Sequence, residues 1–188
     1  MSEIETIEQA LKAAPVRPLE GILVRCVALL PLTEGGTPDY LFTSGKANRF
    51  NPAGVRCVYF SEDETTARLE YARRFGSSPG ARQPLGTFFA EVSLTKVVDL
   101  ADPATRTAFK LKPRHLALAW YLAKTPTRTQ LLGLAASRGA VAAIRFPSDA
   151  ARVHGASGFN VVIFRNGVKA PDRVHILGPT KEPLQKWP

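Results

Sequence analysis

At 188 residues, 45% hydrophobic and 22% charged, the chain suits one domain with a sizeable core, which excludes a disordered or collagen-like protein. The net charge is +9, from 25 Lys and Arg against 16 Asp and Glu. The longest apolar run, Leu116–Ala123, is far short of the roughly 20 residues that span a bilayer, and Glu3, Glu5 and Glu8 give the N-terminus an acidic start unlike a targeting peptide, so a soluble cytoplasmic protein is expected.

Residues 2–14 are predicted to form an amphipathic helix with Ile4, Ile7 and Leu11 on one face, opened by a Ser2/Glu5 capping box and ended by Pro15 and Pro18. Gly21–Leu30 reads as an apolar strand interrupted only by Arg25, a charge that must face solvent, an acid or a ligand. Residues 31–54, rich in Gly and Pro, form a long irregular loop, and loops of that length often carry function. A short strand, Val55–Phe60, leads to a second capping box, Ser61 with Glu64, and a helix to about Phe75.

Residues 76–84 are a further loop, and Gly86–Asp99 alternates as a long strand. Three helices follow at 103–110, 114–124 and 128–138, the last stopped by Gly139. Short strands are expected at Val141–Phe146, Asn160–Arg165 and Val174–Leu177. The order predicts one α+β domain with a central mixed or antiparallel sheet flanked by helices. Residues 1–20 make an N-terminal helix and linker, 21–178 the body, and 179–188 a C-terminal tail.

The basic surplus is uneven. Residues 1–48 carry −2, residues 49–110 carry +2, and residues 111–188 carry the remaining +9. Such a field suits nucleic acid, membrane phosphates, a phosphorylated small molecule or an acidic protein. Cys26 and Cys57 are too few for a disulfide scaffold and read as small buried hydrophobes. No phosphate-binding Gly loop, nucleophile elbow or metal-ligand spacing occurs, and His115, His154 and His175 are scattered, so no metal is expected.

One constellation stands out: Lys46-Ala-Asn-Arg-Phe-Asn-Pro-Ala-Gly54, then Cys57-Val-Tyr-Phe-Ser61, then Thr66-Ala-Arg-Leu-Glu70. It places Arg49 and Asn51 before a strand, Tyr59 on it, and Glu70 two turns into the next helix. This order resembles the RES-domain family, named for its Arg, Glu and Ser. Downstream, Thr129–Gly139, the segment Ala143-Ile-Arg-Phe-Pro-Ser148 and Asn160–Phe164 extend the resemblance to about residues 21–178, with Arg25 in the place of the family's first arginine. Cys26 and Phe50 stand where the family often has an aromatic residue and a Trp, and Ser157 is a second candidate beside Ser148.

The resemblance implies a fold similar to ADP-ribosyltransferases and cleavage of the nicotinamide–ribose bond of NAD+, with water or inorganic phosphate as acceptor. It also implies a toxin restrained by a separate Xre-type antitoxin, with no membrane or direct nucleic-acid partner. Glu70, Arg49 and Tyr59 are then the expected catalytic residues, and Arg25, Arg49, Asn51, Tyr59 and Ser148 the expected NAD+-binding ones.

These residue types suit that chemistry. Nicotinamide leaves as a neutral base, so the difficulty is the oxocarbenium-like ribose, which a carboxylate such as Glu70 stabilises. Guanidinium forks at Arg25 and Arg49 match pyrophosphate oxygens. Tyr59 is suited to stack on nicotinamide or bond a ribose, and Ser148 to orient a phosphate or the carboxamide. Each has a plain competitor: Glu70 as a surface residue paired with Arg73 or Arg74, Tyr59 as a core aromatic, Ser148 as a turn cap. ADP-ribosyl transfer to a macromolecule, a nucleic-acid-binding module and a catalytically silent relative remain the alternative functions.

Overall fold

The computed structural model describes residues 2–29, 46–75, 85–117, 119–178 and 180–188. The expected loop at 76–84, and residues 31–45 of the earlier one, lie outside the described residues. In chain order the elements are α1 (Glu3–Ala13), β1 (Val16–Ala28), β2 (Cys57–Ser61), α2 (Glu64–Phe75), β3 (Leu85–Asp99), α3 (Pro103–Ala108), α4 (Pro113–Ala117), α5 (Arg128–Ala135), β4 (Ala143–Pro147), α6 (Asp149–Val153), β5 (Phe159–Phe164), β6 (Arg173–Leu177) and β7 (Pro183–Trp187). The expected α+β architecture with a mixed sheet is what the chain forms.

Strands β1 and β3 make a long antiparallel ribbon running from Val16 opposite Val98 to Ala28 opposite Leu85. Its register shifts between Arg17 and Leu19, at Pro18, which has no N–H to give the ladder. From β1 the pairing passes to β2 through Val24 and Ser61, then to β5, to β4, and in parallel back to β3. Five strands therefore close a hydrogen-bonded circuit, and β6 and β7 extend from β3.

Alternation along β2 and β5 feeds two cores, because these central strands are buried on both faces. Val58, Phe60, Val161 and Ile163 join Leu23, Val27, Phe88 and Ile176 in a cluster built almost wholly from strands. Cys57, Val162 and Phe164 face the other way, against Ile7 and Leu11 of α1, Leu132 of α5 and Phe50. Neither cysteine forms a disulfide, and Cys57 is buried and Cys26 half-buried.

The capping box at Ser2 and Glu5 forms as expected. The one expected at Ser61 does not. Asp63 caps α2 instead, its carboxylate accepting from the Thr66 N–H at 2.7 Å and from the Thr66 hydroxyl at 2.7 Å. The helix expected at 114–124 is α4 and a separate 3₁₀ turn, Trp120–Leu122. The one at 128–138 is α5 closed by a wide turn at Ala136–Ala140, where Gly139 has φ of +91°. Part of the expected tail is strand β7, an edge strand disguised by its Pro and Lys. Among the described residues no helix is long and apolar enough to cross a membrane.

Candidate functional site

Thr66 and Ala67 lie on the buried stripe of α2, and Glu70 continues that stripe one turn on. Its carboxylate is thereby carried to the end of the sheet where β2 and β4 finish and β5 begins. There Glu70 Oε1 accepts from the Ser148 hydroxyl at 2.7 Å and from Asn160 Nδ2 at 2.6 Å. Asn160 sits opposite Ser61 in the β2–β5 register, and the Ser61 hydroxyl donates to Asn160 Oδ1 at 2.7 Å. That bond uses the hydroxyl the sequence assigned to a helix cap, and it fixes which end of the Asn160 amide faces Glu70. Both donors land on Oε1, so Oε2 has no hydrogen bond among the described residues.

Ser148 fills two roles at once. It donates to Glu70 and also caps α6, its oxygen accepting from the Ala151 N–H at 3.0 Å. The turn-cap reading and the site reading are therefore the same side chain. Ser157 is exposed, whereas Ser148 is buried. Beside Ser148, Asp149 takes an ion pair from Arg73 of α2 at 2.5 Å and one from Arg152 at 2.6 Å. Burial pushes the Asp149 carboxyl up, but the hydrogen bonds from Arg152 and Arg73 outweigh it and hold the group below the usual carboxylate range. Arg73 thus ties α2 to α6 and holds Glu70 over Ser148.

Arg49 arrives on a tight turn. Asn48 and Asn51 form a two-way backbone bridge, N–H to O, at 2.8 and 3.3 Å, with Arg49 and Phe50 at its corners. Phe50 is fully buried, its ring 4.5 Å from that of Phe146. Anchoring Phe50 in the core leaves Arg49 half-buried at the rim. Burial lowers the Arg49 guanidinium from its ordinary value, and the Glu70 carboxylate acts in the opposite sense, so the two charges lie within electrostatic reach of each other.

Tyr59 and Asn51 serve this turn. The Tyr59 hydroxyl accepts from the Phe50 N–H at 2.9 Å and donates to Asn51 Oδ1 at 2.9 Å. Asn51 Nδ2 donates to the carbonyls of Lys46 at 2.9 Å and Pro52 at 3.3 Å, and the residue is completely buried. The Asn51 polar atoms are thus engaged inside the loop. The Tyr59 hydroxyl is likewise occupied, which leaves only its half-buried ring to meet a ligand. Burial raises the Tyr59 phenol well above its ordinary value, so at neutral pH it stays protonated and keeps donating to Asn51. Arg25 Nη1 donates to the Tyr59 carbonyl at 2.7 Å, which ties this charged residue of β1 to the backbone of β2.

Tyr59→Phe is expected to cost about 1–3 kcal/mol in urea unfolding, because it strands the buried Phe50 N–H and Asn51 Oδ1 together. A change below about 0.5 kcal/mol would show that the turn holds without the phenol.

The residue that sequence reasoning missed is Asn160. Its signal was an amide at the head of the apolar run Asn160-Val-Val-Ile-Phe164, where a buried polar group requires a partner.

A family model described as RES domain matches residues 31–185. No curated protein matches the sequence. Among solved structures, the chain is similar in fold to a chain of the M. tuberculosis MbcT–MbcA toxin–antitoxin complex, with a TM-score of 0.61 at 16% identity, covering 94% of this chain and 93% of that one.

Proposed function

This chain belongs to the RES domain family, and on that premise we propose that it consumes NAD+ by breaking the bond between nicotinamide and ribose. The observation that carries the reading is the Glu70 carboxylate, fixed through Oε1 by Ser148 and Asn160, with Oε2 unbonded among the described residues and the Arg49 charge within electrostatic reach. A carboxylate that merely coated a helix would not recruit two donors far away in the sequence, one from a helix cap and one from a strand.

In this reading the C–N bond breaks with its electron pair going to nicotinamide, which departs neutral. Positive charge gathers on the ribose ring, and Glu70 stabilises it without moving, because its donors already orient it. The acceptor oxygen then bonds to the anomeric carbon, and when the acceptor is water its proton passes to solvent. Arg49 holds a pyrophosphate oxygen, and Arg25 supports the strand carrying Tyr59. Tyr59 and Asn51 act one step back, by holding the Arg49 turn. Ser148 places Glu70.

We further infer a toxin restrained by a separate protein. Support comes from the similar fold in a toxin–antitoxin complex and from the charge of the surface. Residues 103–138 contain seven Lys and Arg and no acid, with Tyr121 and Leu122 exposed among them, a surface suited to an acidic partner.

The test is incubation of the purified chain with NAD+, with and without inorganic phosphate, followed by product identification. Free nicotinamide is expected, together with ADP-ribose if water accepts and with its phosphate ester if phosphate accepts. Label transferred to protein or nucleic acid would replace this reading with macromolecular ADP-ribosylation, and intact NAD+ would overturn it.

A further inference from the structure

Helix α5 also packs against the Arg49 turn, and two of its residues are shaped by that contact. Gln130 splits its amide between helix and turn: Oε1 accepts from the Thr127 N–H at 2.9 Å, closing the helix cap, while Nε2 donates to the Asn48 carbonyl at 2.9 Å. One turn further on, Gly133 meets the Phe50 backbone. A Cβ there would fall within the van der Waals radii of the Phe50 carbonyl and 3.2 Å from Phe50 Cα, so only glycine admits this approach. The turn Asn48–Asn51 is therefore gripped at its first residue by Gln130 and at its third by Gly133. From the sheet side Tyr59 grips the Phe50 N–H. Arg49 lies between the two helix contacts, half-buried at the rim.

We infer that α5 is the positioning element for Arg49, acting through the Gln130 amide and the close approach at Gly133. Both act through the backbone of the turn that carries the guanidinium. A rigid turn presents Arg49 already oriented, so that substrate binding does not have to order it. The consequence for substrate rests on the NAD+ reading above, whereas the fixing of the turn does not.

Gln130→Glu separates the two functions of the amide, since a carboxylate still accepts from Thr127 but no longer donates to Asn48. In this variant the amide protons of Phe50 and Asn51 are expected to exchange with solvent at least about tenfold faster than in the wild type, with helix α5 exchanging unchanged. The KM for NAD+ should rise about tenfold with kcat altered less than about twofold, the signature of a misplaced binding group. Gln130→His, which can restore an N–H donor, should recover part of the KM. Gly133→Ala is expected to move both readouts further, and if it fails to fold, Gln130→Glu decides alone. Wild-type exchange at Phe50 and Asn51 in Gln130→Glu overturns the inference, as does faster exchange with an unchanged KM. If the wild type leaves NAD+ intact, the NAD+ reading falls, and the exchange of the two amides still decides whether α5 fixes the turn.

Discussion

Glu70→Gln is expected to lower NAD+ consumption by about 10²–10³-fold while leaving the fold within about 1 kcal/mol of wild type. Glutamine has the shape of glutamate, and its amide oxygen can still accept from Ser148 Oγ and Asn160 Nδ2, the two bonds that fix Oε1. What it removes is the negative charge, and it puts an N–H₂ where Oε2 stood. A transition state with positive charge on the ribose loses its main stabilisation, so kcat should fall and KM change little. Glu70→Ala is a poorer test, because it also strands two buried donors at a cost of about 1–3 kcal/mol. If Glu70→Gln turned over NAD+ at the wild-type rate, the carboxylate would be a structural acceptor for Ser148 and Asn160 and nothing more.

The contrast between Glu70 and Asn160 shows what a linear reading can reach. Glu70, Arg49 and Tyr59 fall within 22 residues of one another, and their order along a loop, a strand and a helix is visible as a pattern. Asn160 lies 90 residues from Glu70 and reaches it only because β5 pairs with β2 in a register that sets Asn160 opposite Ser61. Register is a property of the closed strand circuit, which no local window contains. The same limit explains Ser61. Its spacing to Glu64 fits a capping box, but the nearby Asp63 caps the helix better, and the released hydroxyl goes to Asn160.

Burial was the other quantity out of reach. The sequence shows Asn51 as a loop residue but not its complete enclosure, with Tyr59, Lys46 and Pro52 taking up its polar atoms. The helices were legible where an amphipathic stripe and a cap coincide, as in α1. They were misjudged where an apolar run, such as Leu116–Ala123, is divided between one short helix and an exposed 3₁₀ turn.

Arg145→Met is expected to destabilise the protein by about 3–5 kcal/mol in urea unfolding, the largest stability effect of any single side chain outside the apolar core. Arg145 is only 9% exposed. Its Nε and Nη2 donate to the two Glu62 oxygens at 2.5 and 2.9 Å, and Nη1 donates to Asp99 at 3.2 Å. The guanidinium also lies 3.6 Å over the Phe159 ring. Methionine fills much of the same space but leaves Asp99, 8% exposed, with only the partly exposed Arg17 for charge compensation, and leaves Glu62 without its fork. The loss therefore comes mainly from stranded carboxylates, which predicts that Arg145→Met combined with Glu62→Gln and Asp99→Asn recovers more than half of it. A single-variant loss below about 1 kcal/mol would mean that Arg17 and solvent satisfy both acids unaided. The site is coupled to this network by position. Ser148 follows Arg145 by three residues, just past the end of β4, and Asn160 follows Phe159 on β5, so the charges that bind these strand ends also hold the two donors that aim Glu70. Activity in Arg145→Met should accordingly fall at temperatures where the protein is still folded, because the donors lose their alignment before the sheet comes apart.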